Sequence, residues 1–412
     1  MSRPSRAVLP RWYLPGAVVV LLIGVNIVVS RMAPVDLMVA GQNARLSFQA
    51  GGRVGDQTVR LTPLAGVQGE PTRATAAILA ELPANQRDSL SVLYIGNSQT
   101  MAIMDAEPGN RIVAAWLAEL LNDGRGDEPF AVRLASEANL TMSELLIKSI
   151  VAALEPSRRP DVEIVGIVLD GLRWVEARAE LVTLAESPAV REHVQLALAA
   201  GPPLPAAARS LETLARSDGK AAPAERDDPT TRRNDRAIDR VEQRLQRWSE
   251  TNIALFSARR RVRGTVNLKY TALRNWAFGF KTTTKRPIAP ALYATNLELI
   301  ELTLRFLHQQ GVRAVFYIAP IRPLEPGPYV AEDVERFRRE LARLCERYGA
   351  VYADYTRLIP GELWTNYPDT DQSGVGGQPD FAHFTGNAHR RLAERLAADI
   401  GPQLRSWLAQ KR

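Results

Sequence analysis

The chain has 412 residues, 46% of them hydrophobic and 24% charged, with 27 Gly, 27 Pro and one Cys. That balance excludes a disordered or collagen-like chain and leaves ample length for a sizeable core in two or three domains; the lone Cys345 excludes an internal disulfide and a Cys-based zinc site. The formal charge of +7 has the sign of a nucleic-acid binder, but residues 226–286 hold 16 Lys or Arg and 6 Asp or Glu, so that one segment carries the excess. No recognised nucleic-acid module accompanies it, and no nucleic-acid partner is expected.

In chain order, Arg3, Arg6 and Arg11 and the pair Trp12-Tyr13 lead into an uncharged apolar run at 14–30, long enough to cross the hydrocarbon core. The arginines keep the N-terminus cytoplasmic and put the body outside, which in a bacterium means the periplasm. A cleaved signal peptide is the competing reading, although SRMAPVDL is a poor cleavage site. Residues 34–72 read as a stalk or short strands, and 75–81 as a short helix stopped by Pro83. From 91 a β-rich run ends in the turn Gly96-Asn97-Ser98, and a helix is predicted over 110–121. Strand two is predicted at 130–134, a helix over 139–154, and strand three at 162–169, whose nearly continuous apolar, β-branched run suits burial on both faces.

Residues 176–289 interrupt this alternation between the third and fourth strands. Their first half is Ala- and Leu-rich helix, followed by a Pro-rich charged linker, and a helical pattern restarts at Asn234 with Ile238, Val241, Leu245 and Trp248 on one face. The alternation resumes with a helix over 291–310, a strand at 312–320, a helix over 331–348, a fifth strand at VYADY and a last helix over 386–400, ended by Gly401-Pro402. Strands spaced by helices give βαβ units and a parallel sheet covered on both faces, so the fold class is α/β. The predicted organisation is a tail and anchor at 1–33, a stalk at 34–90, a core in two parts at 91–175 and 290–412, and the basic insertion between them.

Two places carry chemistry. A serine at a strand-to-helix turn, here Ser98, presents its hydroxyl at the carboxyl end of the sheet, where neighbouring backbone N–H groups can face a developing oxyanion. Gly-Asn-Ser is also ordinary turn chemistry. The second place is PDFAHFTGNAHRRL, where Asp380 stands three residues before His383, close enough to accept its Nδ1 proton and leave Nε2 free to take a serine proton. A helix-cap or surface role is the alternative for His383. Of the four histidines, His389, His193 and His308 read as structural or surface residues, and no metal or cofactor is expected.

Taken in order, a serine after the first sheet strand and Asp-x-x-His ahead of the last helix, the chain resembles the SGNH, or GDSL-like, hydrolase superfamily over about 90–175 and 290–405. The resemblance implies a flavodoxin-like three-layer sandwich with Ser98 as nucleophile, His383 as general base and Asp380 as its orienting partner. Asn97 stands where the family usually has Asp. The family's glycine oxyanion donor has no counterpart in LASEANLTMSE, so a backbone N–H of Ala135 or Ala138 takes that role, with the Asn139 amide as a further candidate. At the family's asparagine block the chain has Leu169-Asp170-Gly171-Leu172-Arg173, where Arg173 offers its guanidinium to an oxyanion, or Asp170 and Arg173 form a structural turn. Within the superfamily an anchored, outward-facing body looks like members that modify envelope polymers beside membrane-bound O-acyltransferases. The implied activity is ester hydrolysis or O-acyl transfer on a polysaccharide or related polymer through an acyl-serine. The alternative is an inactive scaffold of the same fold that docks an envelope enzyme. Anionic lipid, an acidic glycan or a partner's acidic face suits the basic insertion, and so does a merely solvated helix face.

Overall fold

In a computed structural model, the structure describes residues 52–54, 57–59, 89–101, 111–122, 130–136, 139–177, 179–217, 279, 281–367 and 377–412. The chain divides into two compact units, and apart from Gly279 these residues belong to the one formed by 44–221, 281–369 and 375–412. The apolar run at 14–30, the short helix at 75–81 and the second half of the insertion lie outside the described residues. Among the described residues no helix is long and apolar enough to cross a membrane.

Within the predicted stalk, Gly52–Val54 pairs antiparallel with Gln57–Val59. The core is a five-stranded sheet of β1 (Leu90–Ile95), β2 (Phe130–Leu134), β3 (Val162–Ile167), β4 (Arg313–Ile318) and β5 (Val351–Asp354). All its pairings are parallel, in the order β2-β1-β3-β4-β5. This is the flavodoxin-like order, and the chain reverses direction across the sheet between β1 and β3, where open α/β folds bind ligands at the strands' carboxyl ends. Ser98 follows β1 directly.

Strand side chains alternate between the two faces. Leu93, Ile95, Val165, Ile167, Phe316 and Ile318 enter one core with helices α3 (Met142–Ala153), α7 (Pro290–Gln309) and α8 (Ala331–Arg347). Val92, Tyr94, Val162, Ile164, Val315 and Tyr317 enter the other with α2 (Val113–Asn122) and α9 (Gly386–Lys411). The result is three layers. Local chemistry sets the boundaries: Thr141 and Glu144 form a capping box at the start of α3, and α7 and α8 end before left-handed glycines, Gly311 (φ 69) and Gly349 (φ 65). Cys345 is buried on α8, and burial pushes its thiol up to about 12, which makes it an inert packed residue.

The first half of the insertion is three helices, α4 (Ala179–Ala185), α5 (Pro188–Ala199) and α6 (Pro205–Ser217). Arg305 of α7 fastens them. Its guanidinium is buried and donates to the carbonyls of Ala197, Leu198 and Pro202 at 3.0–3.3 Å, with Glu301 as its carboxylate partner at 3.5 Å.

Three expectations need correction. Strand three stops at Ile167, because residues Leu169–Arg173 turn into a 3₁₀ helix. Gly401-Pro402 does not end the last helix, which runs on to Lys411. Proline inside a helix costs about 3 kcal/mol, but Leu404, Trp407 and Leu408 beyond it are buried in the core, each contributing about 1.5–3 kcal/mol. Lys411 also bonds Asp161 at 2.7 Å and the Ser89 carbonyl at 3.0 Å. Finally, two short antiparallel strands, β6 (Trp364–Asn366) and β7 (Pro379–Phe384), precede α9 where no strand was predicted.

Candidate active site

Ser98 opens a one-turn helix, α1 (Ser98–Met101), at the carboxyl end of β1. Asn97 shapes this turn. Its side-chain Oδ1 accepts the Gln99 N–H at 3.0 Å, and its carbonyl accepts the Thr100 N–H at 3.0 Å and the Thr100 hydroxyl at 2.7 Å. An aspartate could accept the same N–H, but asparagine does so without adding negative charge to the turn. Gly96 is required by space, since a methyl group there would lie 2.6 Å from the Thr100 methyl. Thr100 cannot swing aside freely, being buried and also bonded to the Ser136 hydroxyl at 2.8 Å. The turn after β1 is thereby tied to the turn after β2.

Asp380 and His383 lie on β7. The Asp380 carboxylate is fully buried, and its Oδ1 accepts the N–H groups of Ala382 (2.7 Å) and His383 (3.2 Å). Its Oδ2 lies 2.8 Å from His383 Nδ1. An ionised carboxylate only accepts, so this bond holds the imidazole proton on Nδ1 and leaves the Nε2 lone pair available. The His383 side chain is 18% exposed. Helix α1 packs against β7, which brings the Ser98 turn to the strand that carries the pair. The Ser98 hydroxyl makes no hydrogen bond to any described residue.

The predicted oxyanion donors fare unequally. The Ala135 N–H donates to the Tyr94 carbonyl at 2.8 Å, because the parallel ladder continues one residue past β2, so it is engaged. Ala138 lies outside the described residues. Asn139 is exposed in a left-handed conformation (φ 52) at the loop that leaves β2. Arg173 pairs with Asp170 and donates to the carbonyls of Arg286 and Pro328, while Tyr329 donates to Asp170 at 3.0 Å. That network is the structural turn alternative: Arg173 is held in the junction with the segments before α7 and before α8. Burial, and then the Asp170 charge, raise the Tyr329 phenol well above its ordinary range, which keeps it a donor.

Two residues that the sequence did not mark belong to the site. Buried Gln99 donates from Nε2 to the Pro320 carbonyl at 3.0 Å. Arg322, just past β4, donates to the main-chain carbonyls of Thr365 and Asp380 and to Asn366 Oδ1, the last two at 3.1 Å. Burial lowers its guanidinium from the ordinary value and Asp380 opposes that shift. Their one sequence signal is position, at the carboxyl ends of strands. His389 is buried at the start of α9 with its ring 4.7 Å from that of Phe384, a packing role as expected. Among the described residues no group of three or more His, Cys, Asp and Glu converges on a metal position.

No protein-family profile matches the chain, and no curated protein matches it. Among solved structures it is similar to one from Bacteroides fragilis described as a putative acylhydrolase, with 9% identity and a TM-score of 0.34 over 82% of this chain and 100% of that one. It is also similar to one from Parabacteroides merdae described as a putative GDSL-like lipase, with 10% identity and a TM-score of 0.34 over 78% and 99% of the two chains. Likeness at that level is too weak to transfer an activity.

Proposed function

We propose that the chain is a serine ester hydrolase or O-acyl transferase in which Ser98, His383 and Asp380 act together. One observation carries the reading: a buried carboxylate holds Nδ1 of a partly exposed histidine at 2.8 Å, on the strand against which the Ser98 turn packs. His383 Nε2 takes the hydroxyl proton as Ser98 Oγ attacks an ester carbonyl, and Asp380 supports the imidazolium that forms. The tetrahedral intermediate's oxyanion needs donors. The Ser98 N–H has no partner among the described residues, and the Asn139 amide stands at the same edge of the sheet. The intermediate collapses to an acyl-serine as His383 returns its proton to the departing alkoxide. Water or a sugar hydroxyl then attacks the acyl-serine with the same histidine as base, giving hydrolysis in one case and transfer in the other.

The chemistry of an acyl-serine makes a concrete test. A fluorophosphonate probe is expected to label the wild-type chain, with p-nitrophenyl acetate turned over; Ser98→Ala should not label, and turnover by Ser98→Ala and His383→Ala should fall to a small residual rate above the uncatalysed one. A wild type that neither labels nor turns over ester would leave the scaffold reading, in which the fold docks an envelope acyltransferase.

For the cellular setting we extend the proposal to a single-pass inner-membrane protein. The apolar run at 14–30 is the anchor, the body is periplasmic, an acylated envelope polymer is the substrate, and a membrane-bound O-acyltransferase is the partner. The support is the run and the three arginines before it. A reporter fused after Arg412 is expected to be active only outside the cytoplasm; activity confined to the cytoplasm would overturn the placement.

A further inference from the structure

Ser98 and His383 are separated by almost the whole of the core in sequence, one on the turn after β1 and the other on strand β7. Something must set the gap between them. The segment that follows β4, residues 319–322, touches every part concerned. Its first N–H, from Ala319, continues the ladder to the Ile167 carbonyl of β3 at 2.9 Å, and the Ile321 N–H donates to the Thr356 carbonyl beyond β5 at 3.0 Å. The segment is therefore fixed to both neighbouring strands. Between these anchors the Pro320 carbonyl accepts Gln99 Nε2 at 3.0 Å, one residue from Ser98. Arg322 then reaches the paired strands β6 and β7 with its planar fork: Nη1 to the carbonyls of Thr365 and Asp380, Nη2 to Asn366 Oδ1, with Phe381 beneath the guanidinium at 6.0 Å.

We propose that residues 319–322 are the clamp that sets the Ser98–His383 geometry, with Arg322 and Gln99 as positioning residues on its two arms. The proposal rests on the Ser98–His383–Asp380 reading. The physical case is that short strands are weak guides by themselves. Among the described residues strand β7 pairs only with the three-residue β6, through an irregular register, and a two-stranded ribbon of that size has little independent stability. A guanidinium that bonds the Asp380 main chain and both Thr365 and Asn366 locks the ribbon to the sheet. A lysine in the same place is a point charge and cannot hold three acceptors in one plane. Gln99 does the matching work on the nucleophile side, from a buried position where an amide has no water to fall back on. Neither side chain need touch the substrate.

The test uses ester turnover by the full chain. Arg322→Ala and Gln99→Ala are each expected to lower kcat roughly 10- to 100-fold, the size of effect that a misplacement of about 1 Å produces, with KM unchanged. Both variants should melt somewhat lower, because the Thr365, Asp380 and Pro320 carbonyls lose their donors, but remain folded at the assay temperature. Because the arms act through the serine–histidine pair, Arg322→Ala added to His383→Ala should cost nothing further, whereas general loosening of the fold would cost the same in both backgrounds. Should Arg322→Ala fail to fold, Arg322→Lys keeps the charge, and a fall in its kcat at constant KM supports the clamp equally. A folded Arg322 variant with wild-type kcat, or a loss fully additive with His383→Ala, overturns the clamp while leaving the esterase reading in place. Absence of wild-type turnover removes the esterase reading itself, and the clamp with it.

Discussion

Replacing Asp380 by asparagine should lower kcat by about four orders of magnitude, the scale set when a triad histidine is held in the wrong tautomer, while leaving the chain folded. The direction follows from which oxygen does what. Oδ1 accepts two backbone N–H groups, from Ala382 and His383, at 2.7 and 3.2 Å, so in the variant the carbonyl oxygen of the amide must occupy that position. The amide nitrogen then takes the place of Oδ2, 2.8 Å from His383 Nδ1. An amide NH₂ donates, so Nδ1 becomes the acceptor and the imidazole proton moves to Nε2. A histidine protonated at Nε2 cannot accept the serine proton. The alternative flip would put the NH₂ against two backbone donors in a site with no exposure to water, and costs more. The measurement is kcat for p-nitrophenyl acetate beside a thermal melt. A variant that is folded and retains activity within about tenfold would mean that Asp380 shapes the β7 turn and nothing more.

The Asp380–His383 pair could be read from spacing because both partners lie within one local segment, and so could the position of Ser98 at the end of an apolar strand. The long strands and helices were legible for a similar reason: 130–134 and 312–320 are mostly apolar runs between helical stretches, and the structure has strands at Phe130–Leu134 and Arg313–Ile318. What was not legible depends on contacts between distant residues. Helix α9 passes Pro402 because Leu404, Trp407 and Leu408 find a core to enter, which no local stop signal reveals. Strand β7 is written PDFAHF and resembles a loop; its pairing with β6 is what makes it a strand. Arg322 and Gln99 bond mostly to main-chain carbonyls, and a carbonyl leaves no mark on sequence. Of the two alternatives Ala135 and Ala138, the freedom of Ala135 to donate depends on whether the ladder with β1 stops at Leu134 or one residue later, which no local signal reveals.

The other feature hidden by an apolar reading is Glu163, a carboxyl group with no exposure in the middle sheet strand β3. Ser149 donates to its Oε1 at 2.5 Å, and its Oε2 has no hydrogen-bond partner among the described residues. Burial pushes its pKa from 4.5 to about 8, against the lesser opposing effect of the Ser149 bond. The folded chain thus holds a proton there over a pH range in which the unfolded chain has released it. Stability from this group is fully present below pH 4.5, falls as pH rises, and is lost once pH passes about 8. A displacement of about 3.5 units at 1.36 kcal/mol per unit gives a loss on the order of 5 kcal/mol across the window. Glu163→Gln removes the titration while keeping an oxygen for Ser149. Urea unfolding should therefore find the variant close to wild type at pH 4.5 and more stable by several kcal/mol at pH 8. Glu163→Met should gain as well, since the Ser149 hydroxyl keeps an acceptor in the Leu145 carbonyl at 3.0 Å. Other carboxylates titrate in both proteins and cancel in the difference. If the stability gap between wild type and Glu163→Gln is the same at both pH values, the carboxyl group is ionised in the folded chain, and a counter-charge or water must reach it inside the sheet layer.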